Sequence, residues 1–136
     1  MKYPIVIHKD ADSDYGVTFP DLPGCFSAGD SFEQALEMAR EAAELHLEGL
    51  LEEGAGIPRP APIEQHMQNP DYQGGVWAMI DVDLSKLSGK ARRVNITLPE
   101  RVLAIIDEAA RQSGESRSGY LARVAIEAVG RKDRAA

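Results

Sequence analysis

Along residues 1–30 apolar and polar positions change with a period near two, the signature of strands. The run YPIVIHK (3–9) is rich in β-formers, with Pro4 at its start, where a strand tolerates proline. DADSD (10–14) is a polar turn. In YGVTFP (15–20), Tyr15, Val17 and Phe19 share one face. DLPG (21–24) has turn chemistry, with proline second and glycine fourth. CFSAG (25–29) is a third short strand, and the three are expected to form a meander.

The period then lengthens. Phe32, Leu36, Ala39, Ala43, Leu47 and Leu50 step by four and three, which is one face of a helix. Ser31 and Gln34 fit a capping box, and Asp30 and Glu33 suit the positive end of the helix dipole. Glu37, Glu41, Glu44, Glu48 and Glu52 line the opposite side, the usual dress of a solvated face. Gly54 is a natural stop. Residues 54–75 are a long proline-rich connector, and VWAMIDVD (76–83) reads as a fourth strand. The order β-β-β-α-β predicts an α+β sandwich over residues 1–84, with the helix on one face of the sheet. SKLSGKA (85–91) is a short polar linker.

The remaining residues, 92–136, follow a different grammar. In RRVNITLPE (92–100), Val94, Ile96 and Leu98 point one way and Arg93, Asn95 and Thr97 the other. Thr97 and Glu100 bracket a capping box, with Pro99 near the first helical position. One helix is expected over about 99–112, with Val102, Ile105, Ile106 and Ala109 inward and Gly114 ending it. Ser116 caps a second over about 117–130, with Tyr120, Leu121, Val124, Ala125 and Ala128 inward. One strand and two short helices bury too little apolar surface to stand alone. The simplest repair is a homodimer in which two copies of the strand pair antiparallel and share one core. Such a ribbon fits the major groove of double-stranded DNA. Arg93 can then bind guanine in bidentate fashion, Asn95 adenine, and Thr97 a thymine methyl. The amino end of the second helix, with Ser116, Arg117 and Ser118, offers backbone amides to a phosphate. For alternation alone, the wet face of an edge strand is the commoner reading. The added proline-led helix, glycine turn and capped second helix favour the DNA reading.

Charge sharpens the division. The chain of 136 residues has a net charge of −7, but residues 1–90 carry −10 and residues 91–136 carry +3. Two modules with oppositely charged partners are expected. No run of about 18 apolar residues is present, so no membrane span is expected. The N-terminus turns acidic too soon for a secretory leader. The single cysteine, Cys25, excludes an internal disulfide framework and fits a reducing cytoplasm.

Candidate chemistry is sparse. Asp10, Asp12 and Asp14 resemble the start of a calcium loop, but Tyr15 stands where the turn glycine belongs and Asp21 where a bidentate glutamate belongs. His8, His46 and His66 have no ligand spacing, and only the fold can bring a carboxylate to His8. Cys25 lacks a CxxC partner and reads as a buried small hydrophobe. No phosphate cradle is present. No catalytic residue, metal or cofactor is assigned.

Two resemblances carry the reading further. Residues 92–129, through RRVNITLPE and GESRSGYL, resemble ribbon-helix-helix DNA-binding domains of the MetJ/Arc/CopG type. Residues 1–84, through DYGVTFPDLPGCFSAGDSFEQALEMAREA and VWAMIDVD, resemble the HicB antitoxins. That resemblance implies a partial RNase H-like N-terminal domain without nuclease activity. It implies that this domain masks HicA, a small RNA-cleaving toxin, and that the C-terminal domain represses the operon by binding its operator. A −10 module is a suitable cover for a basic toxin. The candidate toxin-binding carboxylates are Asp10, Asp12 and Asp14 in the turn and Glu37, Glu41, Glu44 and Glu48 on the helix, with no choice between the groups. Association of N-terminal modules into a tetramer is left open. The alternatives are a stand-alone repressor whose N-terminal module senses a small ligand and, third, a hydrolase using Asp10, Asp12 or His8.

Overall fold

The computed structural model describes residues 1–84, 87 and 91–135, with side chains as far as Val129. Most of the expected linker, residues 85, 86 and 88–90, and the terminal residue 136 lie outside the described residues.

Strands β1 (Lys2–His8), β2 (Tyr15–Thr18), β3 (Phe26–Gly29) and β4 (Val76–Asp81) form one antiparallel sheet in the order β3-β2-β1-β4. The expected meander is present, and β4 joins the free side of β1 with Ile5 opposite Ala78. Helix α1 (Phe32–Glu52) lies on one face. Its buried Ala35, Ala39, Ala43 and Leu47 are small or aliphatic, so the helix sits close against Tyr3, Ile5, Ile7, Val17 and Ile80. Ser31 Oγ accepts the Gln34 N–H at 3.1 Å, as expected of the cap. The return bond differs, because Gln34 Oε1 accepts from the Asp30 N–H rather than from Ser31. Gly54 ends α1 at φ 72°, in the left-handed region that glycine enters without a Cβ penalty. The Ala55 N–H then reaches the Leu50 carbonyl at 2.9 Å.

The connector is more ordered than its prolines suggest. Ile57 enters the core and Tyr3 Oη donates to the Pro58 carbonyl at 2.6 Å. A one-turn helix α2 (Ile63–His66) and a 3₁₀ turn (Pro70–Tyr72) follow. His66 stacks on Trp77 and Tyr72 meets the same ring edge-on, so the connector roofs the second sheet face at the β4 side.

In the C-terminal module, α3 (Glu100–Gln112) and α4 (Arg117–Ala135) are joined by a glycine turn. Gly114 has φ 68°, and the Glu115 N–H caps the Ala110 carbonyl at 2.9 Å. Helix α4 runs past the expected stop at 130. Leu87, inside the expected linker, is buried in the N-terminal core, and Ile126 of α4 packs against that core. The modules therefore touch.

Two expectations are corrected. Residues 91–99 form no strand in a single copy, because a ladder needs a partner and none of the described residues supplies one. The Thr97–Glu100 box is absent too. Pro99 is the cap residue, without a side-chain bond, and its carbonyl accepts the Leu103 N–H at 3.0 Å.

Candidate nucleic-acid and partner interfaces

Residues 91–97 present both of their faces to solvent. Arg93, Asn95 and Thr97 are exposed, as a reading row must be. The opposite row is exposed as well, with Val94 at 70% and Ile96 at 64%. Val102, Ile105, Val124 and Val129 on α3 and α4 are also bare, Ile105 at 68%. Five of the residues expected to be inward, Val102, Ile105, Val124, Ala125 and Ala128, are thus left exposed in a single copy. A row of isolated exposed apolar residues needs no explanation, but these belong to one small module that lacks a core of its own.

At the start of α4, Ser116 Oγ accepts the Gly119 N–H at 3.1 Å, so its hydroxyl is spent on the cap. Arg117 is not free. Its Nε and Nη2 hold Asp107 at 2.7 and 2.9 Å across the helix pair. This fork keeps the Asp107 carboxyl below its usual range, chiefly through the hydrogen bond. Ser118 is exposed on the first turn. Arg123 sits between Glu115 and Glu127, each at 2.9 Å, and fixes the turn between the helices. Sequence reading placed Arg117 at a phosphate-facing helix end without seeing Asp107, ten residues earlier.

In the acidic module, Asp10, Asp12 and Asp14 are exposed around a turn knitted by Ser13. Lys9 Nζ donates to the Ser13 carbonyl at 2.8 Å. Among the described residues no three acidic, histidine or cysteine side chains converge as a metal site would require. On α1, Glu37 and Glu41 are exposed and Glu44 and Glu48 half-buried. The turn and the helix are closer than the sequence implied: Tyr15, next to Asp14, packs edge-on against Phe32 in the first turn of α1.

Among the described residues His8 meets no carboxylate; its Nε2 lies 3.1 Å from the Gln73 carbonyl. His66 does, with Nε2 at 2.9 Å from Asp21 Oδ1, which also accepts the Ala61 N–H. Sequence gave no signal for this pair, which the proline-rich connector brings together. The arrangement pins the connector, and no hydroxyl or thiol nucleophile is bonded to it among the described residues. Cys25 is buried, as expected, and burial pushes its thiol up to about 11.

A cleft of about 920 Å³ lies between the modules. Lys2, Arg40 and Arg59 line it without an ion-pair partner among the described residues, beside Asp81, Glu115 and Glu127. No described helix is long and apolar enough to cross a membrane.

The chain is similar over 95% of its length to the antitoxin HicB of Burkholderia pseudomallei, whose structure it matches with 43% identity, a TM-score of 0.84 and 98% of that chain covered. An uncharacterized 14.9 kDa protein of Haemophilus phage HP1 is 43% identical over 92% of this chain and 95% of its own. A chain of the HicA3 and HicB3 toxin–antitoxin complex is 34% identical with a TM-score of 0.53, covering 61% of this chain and 99% of that one. These relatives are antitoxins where their role is named, and antitoxins are not enzymes. The model for the HicB-like antitoxin of bacterial toxin–antitoxin systems matches residues 3–125, and the chain belongs to that family.

Proposed function

We propose that this antitoxin masks a HicA-type, RNA-cleaving toxin with residues 1–84 and represses its own operon through residues 92–136 as a ribbon-helix-helix dimer. The observation that carries the second half is the unpaired segment 91–99 beside bare Val94, Ile96, Val102, Ile105 and Val124. A second copy supplies both a ladder for the backbone and a cover for the apolar row. The ribbon so formed directs Arg93, Asn95 and Thr97 outward, where the major groove presents base edges. The first turn of α4 then faces phosphate with its amides and dipole. Binding phosphate through Arg117 requires exchange of the Asp107 carboxylate for the phosphate oxygen.

For the toxin, the support is the solved toxin–antitoxin complex among the relatives together with the −10 charge of residues 1–90. Carboxylates placed where a toxin expects phosphate hold it and cover its active site. The test is an RNA-cleavage assay with the cognate HicA-type toxin and a binding assay with the DNA upstream of the operon. Stoichiometric inhibition of cleavage and salt-sensitive, sequence-selective DNA binding are expected. Cleavage that continues at excess antitoxin refutes the first half, and equal affinity for unrelated DNA refutes the second.

A second reading has one observation in its favour. The cleft lined by Lys2, Arg40 and Arg59, which have no ion-pair partner among the described residues, joins the modules where an anionic small ligand would couple sensing to repression. An operator affinity that depends on a small anion, without any toxin, would favour it.

A further inference from the structure

We propose that the free edge of β3 is the docking line for the toxin, with Phe26 as its apolar anchor; this rests on the antitoxin reading above. β3 is the outer strand of the sheet, and β2 is its partner on the inner side. Half of its backbone donors and acceptors point off the sheet. Proteins usually blunt such an edge by keeping the strand short or with lysine, proline, a bulge or a covering segment, and β3, at 4 residues, has only the first of these. Phe26–Gly29, FSAG, carries no proline and no charge.

The register adds a second point. Phe26, Thr18, Val6 and Trp77 form one row across the face opposite α1. At the Trp77 end the row is roofed by His66 and Tyr72. At the β3 end it is bare, and Phe26 is 72% exposed. A large aromatic left uncovered at the end of a row that is roofed elsewhere is the form of an interface anchor.

Charge selects the occupant. Between Lys9 and Arg40 the chain holds seven carboxylates and no lysine or arginine. That stretch builds β2, β3 and the first turns of α1, with Asp14 and Asp30 flanking the far end of the edge. A second copy of this chain would bring like charge against like. The other outer strand, β4, lies by contrast beside Lys2, Arg40 and Arg59. The partner at β3 is therefore a basic protein that adds an extended segment to the sheet, covers Phe26 with an apolar pocket and sets its cations against Asp14 and Asp30. Main-chain pairing holds such a complex, and the anchor and charges select the partner.

The test is calorimetric titration of the full chain with the cognate HicA-type toxin, using Phe26→Lys and, as a control on the opposite edge, Met79→Lys. Both positions are exposed, so thermal unfolding of the free variants should match the wild type. The expected result is a loss of about thirtyfold or more for Phe26→Lys, the size of a hot-spot side chain, and less than about threefold for Met79→Lys. Phe26→Lys binding within about threefold of wild type, or Met79→Lys losing as much as Phe26→Lys, overturns the docking line while leaving the antitoxin reading in place. A wild-type chain that does not bind the toxin overturns both.

Discussion

Asp21 and His66 meet at 2.9 Å although 45 residues separate them in sequence. Asp21 is almost wholly buried, and the same Oδ1 holds the Ala61 N–H, so one carboxylate ties two points of the connector to the loop before β3. With His66 stacked on Trp77, this contact roofs the sheet at one end of its outer face and leaves Phe26 as the bare end.

Removing that tie should loosen the roof. Asp21→Ala leaves the Ala61 N–H without its acceptor and is expected to cost about 2 kcal/mol, the scale of hydrogen bonds to a charged group. Asp21→Asn keeps the Oδ1 acceptor and should cost less. Urea unfolding of both variants checks this, and equal stabilities for Asp21→Ala and wild type would contradict it.

Arg93→Ala and Asn95→Ala should each weaken specific operator binding by about 1–3 kcal/mol, the value of a bidentate base contact. Non-specific binding should change less. Thr97→Ala becomes a cleaner test than the sequence suggested, because Thr97 makes no cap bond to α3. Anisotropy titrations at several salt concentrations separate the two kinds of binding.

Asp107 holds Arg117, so in the proposed DNA complex it would compete with phosphate for that guanidinium. Asp107→Asn is expected to tighten DNA binding at low salt and to steepen the slope of log K against log salt by about 1, as one more phosphate is neutralised. Weaker binding by Asp107→Asn would show that the pair itself positions α4 on DNA.

Burial of Cys25 predicts its pH behaviour. The folded thiol titrates at about 11, against about 8.5 in an unfolded chain. The folded state therefore holds its proton longer. The stability it contributes is complete below about pH 8.5 and is lost as pH rises toward 11. Cys25→Ala should flatten that loss in urea unfolding across this window. The native thiol should also resist a thiol reagent near pH 8 until denaturant is added.

Much of the acidic module was legible because its signals are local. The period-two runs, the Ser31 cap and the Gly54 stop each act over a few residues, and each fell close to its expected place. The roof was not legible: nothing in APIEQHMQNPDYQ announces that His66 will find Asp21 or that Tyr72 will find Trp77, since both contacts are set by tertiary packing. The same holds for Arg117, whose chemistry depends on Asp107 across a helix pair. The segment 92–98 is the opposite case. Its alternation is plain in sequence, yet a single copy shows no ladder; in the proposed dimer the pairing that defines a strand comes from a second chain.

The central claim is that this second chain completes the DNA-reading module. The most direct measurement is anisotropy of operator DNA titrated with the full-length wild type and with Ile96→Asp, alongside sedimentation of both. Ile96 is bare in one copy and covered in the proposed dimer, so the charge should cost the folded monomer little and the shared core several kcal/mol. The account predicts a wild-type dimer that binds operator, and an Ile96→Asp monomer that does not bind it yet still binds toxin. An Ile96→Asp protein that remains dimeric and binds operator like wild type would contradict it.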